Sequence, residues 1–304
     1  MKPLNPGDLI ALVSPGFCAD LEVFDEGKKL LESLGFRVRY FGSSRPIYGR
    51  FNDTDEGRAR HIESAFLDKE VSAILAVKGG YGTFRLTRHL DFALVRDNAK
   101  LFLGYSDVTA LLALVSDYSG VPTFHAPMLV DLLKADVEEN ISSLTKVLSG
   151  QTTSYTLDEK KIISIQIGRA TGKSFGGNIT VLQSLIGACN FAKDESKIVF
   201  LEDVGEYLYS VERALIQLKI SGLFDNAKAI LFGSLILKDS TGPSSLGYDV
   251  LSMIGELFSD FRGPIVTNLP FGHGRRQLAI PHGVEVDIEV ARDSFKMDFD
   301  KFWS

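Results

Sequence analysis

Short apolar runs alternate with helical patterns from Asp8 to about Leu133. The apolar runs are LIALVSP, FRVRYF, VSAILAV and KLFLGY, and the helical patterns are VFDEGKKLLESLG, DEGRARHIESAFLD, GTFRLTRHLDFALVRD and DVTALLALVSDY. This alternation is typical of a parallel sheet that is covered by helices. We therefore predict an N-terminal open parallel α/β sheet domain over residues 1–150.

The pattern changes between about Ala135 and Thr171, where turn formers, Ser and Thr accompany alternating apolar positions. We interpret this segment as a crossover that leads into short antiparallel strands. Beyond it the helical patterns are GGNITVLQSLIGA, SVERALIQLKISG and VLSMIGELFSDF, and the strand patterns are KIVFLED, AKAILFGSL, PIVTNL, VEVDIEV and SFKMDF. Residues 151–304 are thus predicted to form a C-terminal mixed α/β domain richer in β-strand.

Composition narrows the classes of partner. The 304 residues carry 33 Lys and Arg against 39 Asp and Glu, a net charge of -6, without the basic runs that nucleic-acid and anionic-membrane binders use. Cys18 and Cys189 are the only cysteines and form no CxxC motif, which favours a reducing compartment, and so the cytoplasm. The longest apolar run near the start, Leu9 to Val13, is too short for a signal peptide, and no run is long enough to span a membrane.

Candidate chemistry lies where strands end, because functional groups in open α/β sheets gather beyond the carboxyl ends of the strands. Ser106 follows the strand LFLG and precedes a helical pattern, so its hydroxyl is a candidate nucleophile close to free helix N–H groups. The stretch GYSDV lacks the second glycine of a GxSxG motif. Taken alone, it favours a serine that only caps the helix.

A serine nucleophile needs a base and an acid that orients the base. His273 lies between two glycines after a predicted buried strand, which makes it the best base of the five histidines. His61 and His89 lie in charged helical patterns, whereas His125 and His282 lie in turn-rich segments, where a structural and a functional role are equally compatible with the pattern. The pair Glu202 and Asp203 ends the strand KIVFL and offers the carboxylate, although strand-end acids also commonly solvate loops or favour a helix start.

The stretch KGGYGTFRL supplies backbone N–H groups at Gly79, Gly80 and Gly82, which suit an oxyanion hole, a phosphate site or a plain turn. GxGxxG and GKS or GKT motifs are absent, which disfavours nucleotide binding through these loops. HExxH and paired Cys/His spacings are also absent, so no metal site is predicted. We expect the protein to need no cofactor.

Seven motifs in order resemble the LD-carboxypeptidase family of serine peptidases, which includes the microcin C self-immunity proteins. They are PGDLIALVSPG, VKGGYGTFRL, FLGYSDVTALL, FHAPM, GGNITVLQSLIGA, VFLEDVGEYLYSVERALIQL and LPFGHGRRQLAIPHG. The sequence departs from the family pattern at Phe124 and Ala126, and at Lys78, where arginine is frequent.

The resemblance implies a two-domain hydrolase, often a homodimer, with a Ser-Glu-His triad formed at the domain interface. Residue by residue, it makes Ser106 the nucleophile, Glu202 the carboxylate and His273 the general base, with oxyanion donors at the backbone N–H groups of Gly80 and Asp107. The resemblance thus favours catalysis over capping for Ser106.

The substrate implied is the L,D-amide between a diamino acid and terminal D-alanine in murein tetrapeptides, cleaved during cell-wall recycling. Immunity-type relatives instead cleave the amide that links an amino acid or peptide to a nucleotide analogue. A non-catalytic protein that binds a carboxylate or phosphate at the glycine loop, and a nucleotide-dependent ligase or transferase, remain alternatives from other classes.

Overall fold

The computed structural model describes residues 1–134, 137–191, 195–238 and 247–303. The chain divides into two compact units. Unit 1 comprises Met1–Thr153, Arg276–Gly283 and Phe302–Ser304, and unit 2 comprises Ser154–Arg275 and Val284–Lys301.

The secondary-structure elements are numbered along the chain. The strands are β1 (Leu9–Val13), β2 (Arg37–Phe41), β3 (Val71–Ala76), β4 (Leu101–Gly104), β5 (Thr123–His125), β6 (Ser154–Asp158), β7 (Ile163–Gln166), β8 (Gly168–Asn178), β9 (Lys197–Val204), β10 (Ala227–Ile236), β11 (Ile265–Thr267), β12 (Ile280–His282), β13 (Glu285–Val290) and β14 (Ser294–Asp298). The α-helices are α1 (Leu21–Ser33), α2 (Asp55–Leu67), α3 (Phe92–Asp97), α4 (Thr109–Leu114), α5 (Leu129–Leu132), α6 (Glu138–Leu148), α7 (Ile179–Ser184), α8 (Leu208–Ile220) and α9 (Val250–Leu257).

Unit 1 contains one sheet in the order β12-β5-β4-β3-β1-β2, in which only β12 runs antiparallel to its neighbour. The central strands are buried on both faces, as their continuous apolar runs predict. The chain leaves β1 towards β2 on one side and β3 lies on the other side, so a topological switch point falls between β1 and β3. Loops that follow such strands form the ligand-binding crevice of open α/β sheets.

Unit 2 contains a sheet in the order β6-β14-β13-β8-β9-β10-β11-β7. The four neighbours β8, β9, β10 and β11 are parallel, and antiparallel strands flank them on both sides. Together the two sheets confirm the predicted fold class, a largely parallel α/β sheet followed by a mixed one.

Several local predictions differ from the structure. The predicted crossover begins at Ala135, which lies outside the described residues, and it contains the helix α6, which was not predicted. The short strands β6 and β7 that follow pair antiparallel with their neighbours, as predicted, and the long strand β8 begins at Gly168. The predicted helix after Gly82 consists of a short 3-10 helix, Phe84–Arg88, and α3. His125 and His282 lie in the buried strands β5 and β12 and not in turns. Within the described part of the chain, every helix is too short or too polar to cross a membrane.

Candidate active site

Ser106 occupies the sharp corner between β4 and α4. Its φ is 60°, in the left-handed region that non-glycine residues seldom adopt. A helix-capping serine has extended φ and ψ angles, so this conformation does not fit the capping interpretation. The turn is tight, since a Cβ atom at Gly104 would lie 2.7 Å from the Val108 Cγ1 atom. A strained serine at a strand-to-helix turn is the arrangement that exposes a nucleophile at a sheet edge.

The glycine-rich loop after β3 lies against this corner, because β3 and β4 are adjacent parallel strands whose carboxyl ends meet at one edge. A Cβ atom at Gly79 would lie 3.2 Å from the Ser106 Cβ atom and 3.4 Å from its Oγ atom. The next residue, Gly80, is exposed and has a φ of +97°. Of the residues predicted for catalysis, the structure thus brings Ser106, Gly80 and Asp107 together within unit 1.

The side chain of Asp107 ties the glycine-rich loop to the serine corner. Its Oδ2 atom accepts hydrogen bonds from the Thr83 backbone N–H, at 2.9 Å, and from the Thr83 hydroxyl. At the other end of the loop, the Phe17 N–H donates to the Gly79 carbonyl at 3.0 Å. The loop is therefore held at one end by the segment that follows β1 and at the other end by the segment that follows β4.

Arg58 is a part of this site that the sequence did not indicate. Its guanidinium is fully buried and donates to the carbonyls of Pro15 and Gly82, the latter at 3.3 Å, and to the Asp55 carboxylate at 2.6 Å. Burial lowers the pKa of Arg58, and the hydrogen bond and charge of Asp55 oppose that shift. Burial acts to raise the pKa of Asp55, but hydrogen bonds from Arg85 and Arg58 outweigh it and lower the pKa. The pair cross-links the loops after β1 and β3.

Glu202 and His273 form a hydrogen-bonded pair within unit 2. The His273 Nδ1 atom lies 2.6 Å from the Glu202 Oε2 atom. Glu202 lies in the buried part of β9 near its carboxyl end, and His273 follows β11, two strands along the same parallel set. Because Nδ1 is engaged by the carboxylate, Nε2 is the ring nitrogen that can accept a proton from a nucleophile.

Backbone freedom at Gly272 permits this pair to form. Its φ is +89°, and a Cβ atom there would lie 2.7 Å from the Glu202 side chain. The loop is anchored on β10, where the Phe232 carbonyl accepts from the Leu269 N–H and the Ser234 N–H donates to the Phe271 carbonyl, both at 3.0 Å.

The two adjacent acids have different roles. Asp203 accepts hydrogen bonds from the Asn178 side chain, the Thr180 backbone and hydroxyl, and the Val204 N–H, at 2.7–3.1 Å. These bonds fix the start of α7 and occupy both of its oxygens. Glu202 is the acid that meets the histidine.

Glu202 is fully buried, and burial raises the pKa of its carboxyl. The hydrogen bond and charge of His273 act in the opposite direction and do not cancel the effect of burial. A buried carboxylate beside one imidazole ring holds that ring in one orientation and stabilises the imidazolium.

The other histidines are placed differently. His89 is exposed, and His61 in α2 lies 3.5 Å from the Asp53 carboxylate, where burial lowers its pKa. The described residues contain no group of three or more His, Cys, Asp or Glu side chains that is arranged to hold a metal ion.

The chain is similar to known proteins over most of its length. Residues 10–126 match the LD-carboxypeptidase N-terminal domain, and residues 171–288 match the LD-carboxypeptidase C-terminal domain. A probable murein peptide carboxypeptidase of Bacillus subtilis (strain 168) is 30% identical over 295 residues, which cover 95% of this chain and 91% of the relative. The chain belongs to the LD-carboxypeptidase family. The protein is an enzyme of the serine peptidase class, as the family resemblance implies.

Two further relatives are similar to nearly the whole chain. The crystal structure of a muramoyltetrapeptide carboxypeptidase from Oxalobacter formigenes superposes with a TM-score of 0.84 at 29% identity, covering 95% of this chain and 98% of that one. The microcin C7 self-immunity protein MccF of Escherichia coli is 27% identical over 324 residues, which cover 94% of this chain and 92% of the relative.

Proposed function

We propose that the protein hydrolyses the L,D-amide bond between a diamino acid and terminal D-alanine in murein tetrapeptides, with Ser106, Glu202 and His273 as its catalytic triad. The observation that carries the proposal is the 2.6 Å bond between His273 Nδ1 and the buried Glu202 carboxylate. Paired in this way, the imidazole is oriented to work as a general base through Nε2.

In the proposed reaction His273 takes the Ser106 hydroxyl proton as the Oγ atom attacks the scissile carbonyl carbon. The N–H groups of Gly80 and Asp107 donate hydrogen bonds to the resulting oxyanion, each contributing about 2.7 to 4 kcal/mol to lowering the barrier. The imidazolium then gives its proton to the departing amino group of D-alanine, which leaves an ester on Ser106. Water, deprotonated by His273, hydrolyses this ester and restores the serine.

The substrate class rests on the relatives. Both the Bacillus subtilis and the Oxalobacter formigenes relatives are named for carboxypeptidase action on murein peptides, and each aligns with nearly the whole chain. These names support a murein tetrapeptide as the substrate and murein recycling as the physiological role. The similarity to a microcin C7 self-immunity protein supports an aminoacyl- or peptidyl-nucleotide conjugate as the second candidate.

The deciding experiment is mass spectrometry of wild type and Ser106→Ala after incubation with murein tetrapeptide and, separately, with an aminoacyl sulfamoyl-adenosine, without added metal. We expect only the wild type to release D-alanine from the tetrapeptide. Cleavage of the nucleotide conjugate alone would identify the immunity-type activity. No cleavage of either compound would favour a non-catalytic binding protein, and unimpaired activity of Ser106→Ala would exclude the triad.

We further propose that the enzyme is a cytoplasmic homodimer, as the family resemblance implies. The sequence has only two cysteines, Cys18 and Cys189, and no CxxC motif, which supports a reducing location. Analytical ultracentrifugation of the purified protein tests the dimer, and fractionation of cells tests the location. A monomer at micromolar concentration, or activity confined to an extracytoplasmic fraction, would contradict the respective proposal.

A further inference from the structure

Four cationic side chains of unit 1 lie around the glycine-rich loop, and only two of them have an acidic partner. Asp55 lies 2.6 Å from Arg58 and 2.8 Å from Arg85, so one carboxylate serves both guanidinium groups. Arg50 and Lys78 are the other two cations. Across the described ranges of the chain, no carboxylate oxygen lies within 4.0 Å of either group.

Arg50 is held beside the loop by an aromatic ring. Its guanidinium carbon lies 4.0 Å from the centroid of the Phe17 ring, and its side chain is exposed. The same ring covers Gly80, since a Cβ atom at Gly80 would lie 2.3 Å from the Phe17 Cδ2 atom. Stacking on Phe17 restricts the guanidinium while its N–H edge stays available to an anion.

Lys78 stands two residues before Gly80 and two residues after the end of β3, and it is half-buried. Its charge acts on the neighbouring Cys18 thiol: burial and Asp20 raise the pKa of this thiol, and Lys78 opposes them. The ammonium group is therefore close enough to the Cys18 thiol for its charge to act there. Two cations without acidic partners beside one exposed backbone loop create a positive potential that favours an anionic ligand.

Removal of a single C-terminal residue requires recognition of its free carboxylate close to the reacting carbonyl. One residue spans about 3.5 Å, so the carboxylate of the leaving amino acid lies within the reach of a lysine side chain from the oxyanion donors. We propose that Lys78 and Arg50 bind the terminal carboxylate of the substrate and so restrict this enzyme to cleavage of the last residue. This assignment rests on the proposed function, in which Gly80 is an oxyanion donor.

Two substrates that differ only in this charge test the assignment. They are the murein tetrapeptide that ends in D-alanine and the same peptide that ends in D-alaninamide. We expect wild type to prefer the acid, with a higher KM for the amide and little change in kcat, because the contact is made before and during the reaction. Lys78→Met and Arg50→Gln should each reduce the acid-to-amide ratio of kcat/KM by about 10- to 100-fold, as expected for loss of a charged hydrogen bond. Lys78→Arg should retain the preference.

Lys69→Met is the matched control, because Lys69 precedes the same strand at its opposite end and bonds to Asn98 at 2.8 Å. Its acid-to-amide ratio should equal that of wild type, and circular dichroism and thermal unfolding should show all variants folded. If wild type cleaves the tetrapeptide but Lys78→Met and Arg50→Gln keep the full preference for the acid, the carboxylate site is wrong and the proposed function stands. If wild type releases no D-alanine, the proposed function fails and the site assignment fails with it. Since both variants retain the whole triad, either can report the ratio if the other does not fold.

Discussion

Gly272 approaches the side chain of Glu202 so closely that a methyl group at its Cα would lie 2.7 Å from the glutamate Cβ, Cγ and Oε2 atoms. Real Cβ atoms essentially never come this near to another heavy atom. The bond between His273 and Glu202 thus depends on the absence of a side chain at the preceding position.

Gly272→Ala should therefore lower both stability and activity. Strain at its positive φ should cost about 1–3 kcal/mol in the free energy of unfolding, and displacement of Glu202 should reduce kcat by more than about tenfold. Gly205→Ala is the control, because Gly205 has a φ of +77° with no atom within 4 Å of its Cβ position. Urea unfolding and steady-state kinetics of both variants distinguish the backbone strain at positive φ from the steric clash with Glu202. Equal kcat in the two variants would show that the contact with Glu202 has no effect on catalysis.

The left-handed conformation of Ser106 predicts an opposition between stability and activity. Ser106→Gly relieves a strain of about 1–3 kcal/mol, offset by the larger entropy of glycine in the unfolded chain, about 0.5–1 kcal/mol. We expect Ser106→Gly to be inactive but more stable than Ser106→Ala, which keeps the Cβ atom. Chemical denaturation of both variants measures the difference. If Ser106→Gly were less stable than Ser106→Ala, the left-handed conformation at this position would not be strained.

The buried carboxyl of Glu202 gives opposite pH dependences to activity and stability. Its pKa is raised above the ordinary 4.5, so it stabilises the fold below that pH, and this contribution is lost as the pH rises through the folded-state pKa. Activity needs the carboxylate and a neutral imidazole, so kcat/KM should fall on the acid side. Glu202→Gln should lower kcat by about 10⁴-fold. Its free energy of unfolding, relative to that of wild type, should nevertheless be higher at pH 8 than at pH 5. Urea unfolding at the two pH values tests the sign, and a relative loss at pH 8 would refute it.

Arg58 should support both the fold and the glycine-rich loop. Arg58→Met leaves the Pro15 and Gly82 carbonyls without this donor and should cost about 3 kcal/mol in the free energy of unfolding, with a lower kcat because the loop loosens. Arg85→Met removes the more exposed partner of Asp55 and should cost less than about 1 kcal/mol. Thermal unfolding and kinetics of the two variants give the comparison. Equal losses of stability and of kcat in the two variants would show that the burial of Arg58 makes no difference to its contribution.

The sequence predicted the elements whose hydrophobic pattern is long and regular. The strands β1, β3, β4, β9 and β10 contain nearly continuous apolar runs, whose short length favours buried strands over helices. By contrast, β5 and β12 have three residues each and lie among prolines, too short to show a period. The first half of β8, GRATGK, has two glycines and two basic residues, and its strand conformation comes from pairing with β13.

At the candidate site, sequence position identified the residues that follow strand ends but not those that hold them. Ser106 and the glycine loop stand after adjacent strands, so the rule for open sheets identifies them. Arg58 lies in the charged helical pattern GRARHIES. Nothing in this pattern distinguishes a buried charged side chain from the solvent-exposed ones. Its burial depends on carbonyls of two loops that only the tertiary fold brings to it. The choice between Glu202 and Asp203 likewise depends on the bonds that Asp203 makes to α7.

The strand β12 has a consequence for the order of synthesis. It covers the edge of the first sheet at β5, and Phe302 packs on Phe124 of that strand with ring centroids 4.5 Å apart. The ribosome synthesises β12 and Phe302 only after the whole of β6 to β11. At about 5–20 residues per second, the N-terminal sheet therefore lacks its last strand for on the order of ten seconds. During that interval β5 is an unpaired edge on a hydrophobic sheet, the kind of surface at which nascent chains associate wrongly. Chaperone protection of the growing chain should matter most while ribosomes translate the second half of the message.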